Sequence, residues 1–229
     1  MVKRKKVHDQ GEARAPGPSL REHLLADGSG VTPPLLEESY IFLGSEDIPY
    51  EWYTSRERLQ DEFKFLWPKV WQWACREEHI PEPGDYYVYD IGKLSAVIVR
   101  ADDGGIKAYY NACMHRGTQL KPPATCGTTQ GLRCPFHGWT WSLEGELIDL
   151  PQEWDFPHVD AESHKLPELK VGLWGGFIFV NFDQDAQPLE EYLGVLSDHF
   201  SHWDLENRYI EAHVCKRLPA NWKASAEAF

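Results

Sequence analysis

The chain has 229 residues, 42% of them hydrophobic, which is enough for one large domain or two small ones with a proper core. Acidic residues outnumber basic ones by 36 to 23, and the net charge of -13 argues against a nucleic-acid backbone as the main partner. Ten residues each of Trp, Tyr and Phe, with 16 Pro and 18 Gly, favour a turn-rich, mainly β architecture over a helical bundle.

Residues 1–45 are predicted to be a mobile leader, because they are rich in Pro, Gly and charge and contain few aromatic side chains. No apolar segment follows the basic run Lys3–Lys6, so a secretory signal is not supported and a cytoplasmic location is expected. The most apolar stretch, Val171–Phe182, is interrupted by glycines and is shorter than the roughly 20 residues of a membrane-spanning helix. We expect neither a membrane nor a nucleic acid as a partner.

Residues 46–67 are predicted to form an N-terminal helical segment. Ser55 is a typical helix N-cap, and Pro68 follows the end of the helical pattern. Between these two residues, apolar side chains recur at helical spacing, at Leu59, Phe63 and Leu66.

From residue 68 to residue 185, short apolar runs alternate with turn residues, which predicts antiparallel strands. The turn sequence 102–105 joins two such runs into a hairpin. The predicted strands include Leu94–Val99, Ile106–Tyr110, Thr140–Leu143, Leu147–Leu150 and Phe177–Phe182. Helical spacing returns over Pro188–Phe200, and Arg208–Leu218 is again typical of a strand.

Two short segments carry the chemistry of the chain: Cys113-x-His115 and, after eighteen further residues, Cys134-x-x-His137. Two thiols and two imidazoles can close a four-ligand site on one zinc ion. Zinc modules, however, usually pair Cys with Cys and His with His, whereas each segment here supplies one of each. That mixture suits a [2Fe–2S] cluster with both Cys on one iron and both His on the other.

The segments Cys113-Met-His115-Arg116-Gly117 and Cys134-Pro-Phe-His137-Gly138-Trp139 resemble the two ligand loops of a Rieske [2Fe–2S] domain. The resemblance implies that Cys113 and Cys134 bind the buried ferric iron. It assigns His115 and His137 to the outer iron, which is the one reduced.

Four neighbouring residues have implied supporting roles in the same resemblance. Gly117 and Gly138 are expected to let backbone N–H groups approach the cluster sulfurs. Trp139 is expected to shield the cluster, and Arg116 is a candidate for partner docking.

The loops are more similar to those of ring-hydroxylating oxygenases than to those of respiratory-chain Rieske proteins. The latter carry an extra, disulfide-forming Cys in each loop, and here Thr118 and Phe136 stand at those places. Further similarity to the oxygenase α subunit lies at 173–181, 188–194 and 221–229. The implied fold is mainly β: an antiparallel Rieske-type domain at 68–185 with flanking helices, followed at 186–229 by the truncated start of an α+β catalytic domain.

This resemblance implies an electron relay in the catabolism of aromatic hydrocarbons. Electrons would come from a ferredoxin or flavin reductase and pass to a non-haem Fe(II) that activates O₂. That iron and its two-His-one-carboxylate motif are expected only in the missing catalytic half, so no catalytic residue is assigned here. The full-length protein is expected to form an oligomer with other α subunits. A stand-alone Rieske-type carrier and a zinc-binding module remain as alternatives.

The remaining cysteines and histidines are not expected to bind metal. Cys126 falls in a stretch, 125–130, that we expect to bulge outward, and it lacks a neighbouring His partner. Cys75 and Cys215 lie in strand-like surroundings and are predicted to be small buried hydrophobes. His199 and His202 are predicted to be solvated residues of one helix face.

Overall fold

The computed structural model describes residues 17–28, 30–31, 33–36 and 46–227. The helices are α1 (Leu20–Asp27), α2 (Pro33–Leu36), α3 (Glu51–Thr54), α4 (Arg56–Phe65), α5 (Leu189–Leu193), α6 (Leu196–Phe200) and α7 (Trp222–Ala226). Short 3-10 turns lie at Glu77–His79, Glu153–Asp155, Ser201–Trp203 and Leu205–Asn207. In this part of the chain, no helix has the length and apolar character needed to cross a membrane.

The strands confirm the predicted antiparallel, mainly β architecture. They are β1 (Gln72–Arg76), β2 (Asp85–Ile91), β3 (Leu94–Arg100), β4 (Ile106–Tyr110), β5 (Cys126–Thr128), β6 (Leu132–Arg133), β7 (Thr140–Trp141), β8 (Leu147–Asp149), β9 (Lys170–Trp174) and β10 (Phe177–Asn181). They form three sheets, with the orders β4-β3-β2-β5, β1-β10-β9 and β6-β7-β8. The turn 102–105 joins β3 and β4 in the hairpin that the sequence predicts.

Strand β3 lies between two hydrophobic cores and buries both of its faces. Val97 and Val99 pack into a first core, whereas Ala96 and Ile98 pack into a second. This alternation follows from the two-residue period of a strand, and it explains why residues 96–99 are all apolar. The first core also contains two of the predicted ligand cysteines, so the candidate site lies directly on this core.

The helix predicted after Ser55 is confirmed by α4, where the Ser55 side chain accepts a hydrogen bond from the backbone N–H of Arg58. The predicted mobile leader falls mostly outside the described residues. Its described part contains α1, which begins with a capping box between Ser19 and Glu22 and ends at Gly28, a residue with positive φ.

The last described helix, α7, packs back onto α4. The indole N–H of Trp222 donates to Glu62 Oε2 at 2.7 Å, and Lys223 forms an ion pair with the same carboxylate. The Trp222 ring also meets Trp67 edge-on, with ring centroids 5.0 Å apart. Helix α7 is therefore held against the α4 segment by a hydrogen bond, an ion pair and an aromatic contact.

Two local predictions are wrong. The stretch 125–130 does not bulge outward, because β5 within it pairs with β2 and satisfies backbone groups on that sheet edge. The stretch Arg208–Leu218 forms no strand, since none of the described strands pairs with it. Its start is held by side chains instead: Arg76 donates to the Arg208 carbonyl, and Glu78 accepts from the Ile210 N–H.

The helical structure predicted over Pro188–Phe200 is confirmed, with a break at Gly194 between α5 and α6.

The cysteines outside the ligand segments differ in exposure. Cys75 is buried as predicted, and burial raises the pKa of its thiol to about 12. Cys215 was predicted to be buried, and this is wrong: it is exposed, because it lies in the irregular stretch rather than in a strand. Cys126 is exposed on the edge strand β5.

We expect a thiol reagent at mildly alkaline pH to label Cys126 and Cys215 rapidly and Cys75 at a rate at least about 1,000-fold lower, because only the thiolate reacts. Peptide mass spectrometry after timed labelling measures the three rates. Labelling in denaturant, where Cys75 should react like the others, is the control. Rapid modification of Cys75 in the folded protein would contradict its burial.

Candidate metal centre

The two predicted ligand segments fold into the same closed turn. In the first, the Cys113 N–H donates to the Thr118 carbonyl, and the Gly117 N–H donates to the Cys113 carbonyl, both at 2.8 Å. The second turn has the same two bonds: the Cys134 N–H donates to the Trp139 carbonyl at 2.8 Å, and the Gly138 N–H donates to the Cys134 carbonyl at 3.1 Å.

Glycine is required at the fourth position after each cysteine, because φ is +72° at Gly117 and +81° at Gly138. The N–H groups of these glycines are used to close the turns, as noted above. One backbone N–H does point at a sulfur: that of His115 donates to Cys113 Sγ, with the nitrogen at 3.4 Å. The expectation that the two glycines let such groups approach the cluster sulfurs stays a prediction.

The paired turns bring all four predicted ligand residues together. The thiols of Cys113 and Cys134 are neighbours, and these residues are only 4% and 3% exposed. The rings of His115 and His137 lie side by side, with centroids 4.9 Å apart. His137 is exposed and His115 is half-buried, so thiols lie inside and imidazoles outside.

Among the described residues, no group of three or more His, Cys, Asp or Glu side chains is placed to hold one metal ion. In a Rieske cluster, each iron takes two protein ligands and the bridging sulfides supply the rest.

The protonation of the four groups follows from their surroundings. Burial raises the pKa of the Cys113 thiol, the neighbouring Cys134 raises it further, and the N–H groups of His115 and Arg116 act in the opposite direction. Without metal, we therefore expect this thiol to keep its proton. Burial, together with the nearby His137 and Arg116, lowers the pKa of His115, which favours the neutral imidazole that binds metals.

Two aromatic side chains, one buried and one half-buried, hold the His115 ring. The indole of Trp139 stacks on it with centroids 4.9 Å apart and an interplanar angle of 6°. Phe156 meets the same imidazole edge-on at 5.5 Å and the Trp139 ring at 5.2 Å. Trp139 lies in the second turn, where the sequence placed it as a shield. The role of Phe156 was missed, because nothing in the sequence around it marks a loop that returns to the site.

Arg116 lies within the first turn and is exposed. The other candidates, Cys126, His199 and His202, lie apart from this arrangement. Cys126 belongs to β5 and to neither turn. His199 and His202 have ring centroids 6.4 Å apart; His202 is exposed as predicted, whereas His199 is half-buried and its Nδ1 has no hydrogen-bond partner within the described residues.

Comparison with known proteins identifies the domain that contains these residues. Residues 70–160 match the Rieske [2Fe-2S] domain family. The large oxygenase component of salicylate 5-hydroxylase from a Ralstonia species is 32% identical over 201 residues, 80% of this chain and 47% of the relative. The large oxygenase component of the naphthalene 1,2-dioxygenase system from Pseudomonas putida is 34% identical over 85% of this chain and 42% of its own length. The chain thus spans less than half of each of these two relatives.

A solved structure gives the same result. The apo form of the quaternary ammonium Rieske monooxygenase CntA superimposes with a TM-score of 0.73 at 27% identity, over 79% of this chain and 53% of that one. The similarity therefore extends beyond residues 70–160 in both sequence and structure. The chain contains a Rieske [2Fe–2S] domain and belongs with the large subunits of Rieske-type oxygenases.

Proposed function

We propose that the chain is the electron-transfer part of a Rieske-type oxygenase, with Cys113 and Cys134 binding one iron of a [2Fe–2S] cluster and His115 and His137 the other. The observation that carries this proposal is the paired turns, which put two buried thiols in contact and two imidazoles side by side. A bound cluster of this kind supplies a one-electron redox centre.

The donor set fits that cluster in charge as well as in position. Two thiolates and two neutral imidazoles leave less negative charge than four thiolates, which raises the reduction potential. The lowered pKa of His115 supports the neutral form of that ligand. The raised pKa of Cys113 means that its proton must leave when iron binds, so assembly should be slower at lower pH.

The surrounding side chains orient the ligands and exclude water. Stacking of Trp139 restricts rotation of the His115 ring, and Phe156 packs edge-on against both rings. His137 stays exposed beside Phe136, itself 60% exposed. This exposed tip is where an electron-donor protein, which we take to be a ferredoxin or flavin reductase, can come within electron-transfer distance.

The wider activity is also part of the proposal. We infer that the chain passes electrons to a mononuclear non-haem iron that activates O₂, and that residues 1–229 do not themselves supply this iron site. Similarity to oxygenase large components over 80% of the chain favours this role over that of a free-standing carrier. Five free cysteines suit work in a reducing compartment such as the cytoplasm.

Anaerobic purification should yield a brown protein whose reduced form gives an EPR signal with an average g value below that of the free electron. Iron and acid-labile sulfide should each be present at two per chain, as the cluster formula requires. A colourless protein that binds one zinc ion per chain would overturn the proposal in favour of a zinc-binding module.

A further inference from the structure

One buried side chain holds both ends of the first ligand turn. Asn111 directly follows β4 and is 2% exposed. Its Oδ1 accepts from the N–H groups of Leu120 (3.0 Å) and Lys121 (2.9 Å). Its Nδ2 donates to the Lys121 carbonyl (2.8 Å) and to Ser95 Oγ (3.0 Å). All four hydrogen bonds that an asparagine amide can make are therefore formed.

These bonds anchor the turn to the rigid part of the domain. Ser95 lies on β3, the strand that is buried between the two cores, and its carbonyl also accepts from the Asn111 N–H at 2.9 Å. Asn111 precedes Cys113 by two residues, and Leu120 follows Thr118 by two. The turn that carries Cys113 and His115 is thus clamped at its entry and at its exit.

The clamp also reaches the second turn. The Lys121 ammonium donates to Thr129 Oγ1 at 2.9 Å, and that hydroxyl donates to the Gly131 carbonyl at 2.6 Å. Gly131 directly precedes β6, the strand that leads into the second turn. The position of one turn relative to the other therefore depends on this hydrogen-bonded chain, which begins at Asn111.

We propose that Asn111 is a positioning residue that sets the reduction potential of the cluster; this inference rests on the proposed function. Hydrogen bonds to the sulfur ligands and the orientation of the ligands tune the potential of such sites. The His115 N–H lies 3.4 Å from Cys113 Sγ only while the turn keeps its place. Loosening the turn weakens this contact, which lowers the potential and speeds loss of the cluster.

The test compares Asn111→Ala with Asn181→Ala in the whole chain loaded with its cluster. Asn181 is a matched control: it is 1% exposed and hydrogen-bonded to Lys69 and Asp183, away from both turns. We expect Asn111→Ala to lower the potential, change the EPR g values and speed cluster loss about 10-fold or more. Asn181→Ala should keep the wild-type potential and g values even if its melting temperature falls.

A loaded Asn111→Ala protein with the wild-type potential and g values, and only a lower melting temperature, would overturn the proposal. If Asn111→Ala does not take up its cluster, Ser95→Ala is measured in its place, because it removes one of the four hydrogen bonds of Asn111. A lowered potential in Ser95→Ala supports the clamp, and an unchanged potential refutes it.

The spectrum of the wild-type protein distinguishes a failure of the proposed function from a failure of the role of Asn111. A wild-type protein without a Rieske signal refutes the proposed function, whereas a normal wild-type signal with unaltered variants refutes only the role of Asn111.

Discussion

Replacing Cys134 with serine is expected to abolish assembly of the [2Fe–2S] cluster, with complete loss of visible absorption. Cys134 is 3% exposed and lies next to the Cys113 thiol, so no other side chain can take its place without moving the turn. A serine hydroxyl keeps its proton near neutral pH and cannot supply the anionic ligand that iron requires. The visible spectrum, with iron and sulfide content, measures the effect.

Cys126→Ser is the matched control for this experiment. Cys126 is exposed on β5 and belongs to neither turn, so its variant should keep the wild-type spectrum. Colour that persists in Cys134→Ser, or that disappears in Cys126→Ser, would show that the ligands are assigned wrongly.

The second large effect is expected from His137→Cys, which should lower the reduction potential by about 100 mV or more. A thiolate in place of a neutral imidazole adds a negative charge at the outer iron. All-thiolate clusters of plant-type ferredoxins lie near −400 mV, whereas Rieske clusters lie between about −150 and +300 mV. His137 is exposed at the tip of the second turn, so the substitution requires little repacking. Potentiometric titration followed by EPR measures the shift.

His202→Cys provides the comparison for that titration, because His202 is also exposed but lies on the 3-10 turn 201–203. Its variant should have the wild-type potential. An unchanged potential in a cluster-loaded His137→Cys protein would contradict the assignment of His137 as a ligand.

The parts of the site that could be predicted are those whose residues lie close together in the sequence. The spacing of Cys113 and Cys134 from the following histidines and glycines specifies both closed turns, and Trp139 lies within the second. The helix after Ser55 could be predicted for the same reason, because its N-cap and its apolar side chains lie within a dozen residues of each other.

The errors concern contacts between residues far apart in the chain. Phe156 reaches His115 across forty-one positions, and no local pattern encodes that contact. The short strand β5 forms because β2 offers a free edge, which Cys126-Gly-Thr does not reveal. The stretch 208–218 has a strand pattern, but a strand needs a neighbour for its hydrogen bonds, and none of the described strands lies beside it.

The inside-outside order of thiols and imidazoles was implied by resemblance alone. The structure provides its physical cause, because both cysteines belong to the core beneath β3 whereas His137 extends beyond it. Hydrophobic packing of this core thus accounts for which ligand type is buried.

Pulsed EPR on reduced protein grown with ¹⁵N-labelled histidine tests the central claim most directly. If His115 and His137 bind the outer iron, the spectrum will show strong hyperfine coupling to two histidine nitrogens, and each His→Ala variant that still loads will lose one. A reduced iron–sulfur signal without histidine nitrogen coupling would contradict the assignment.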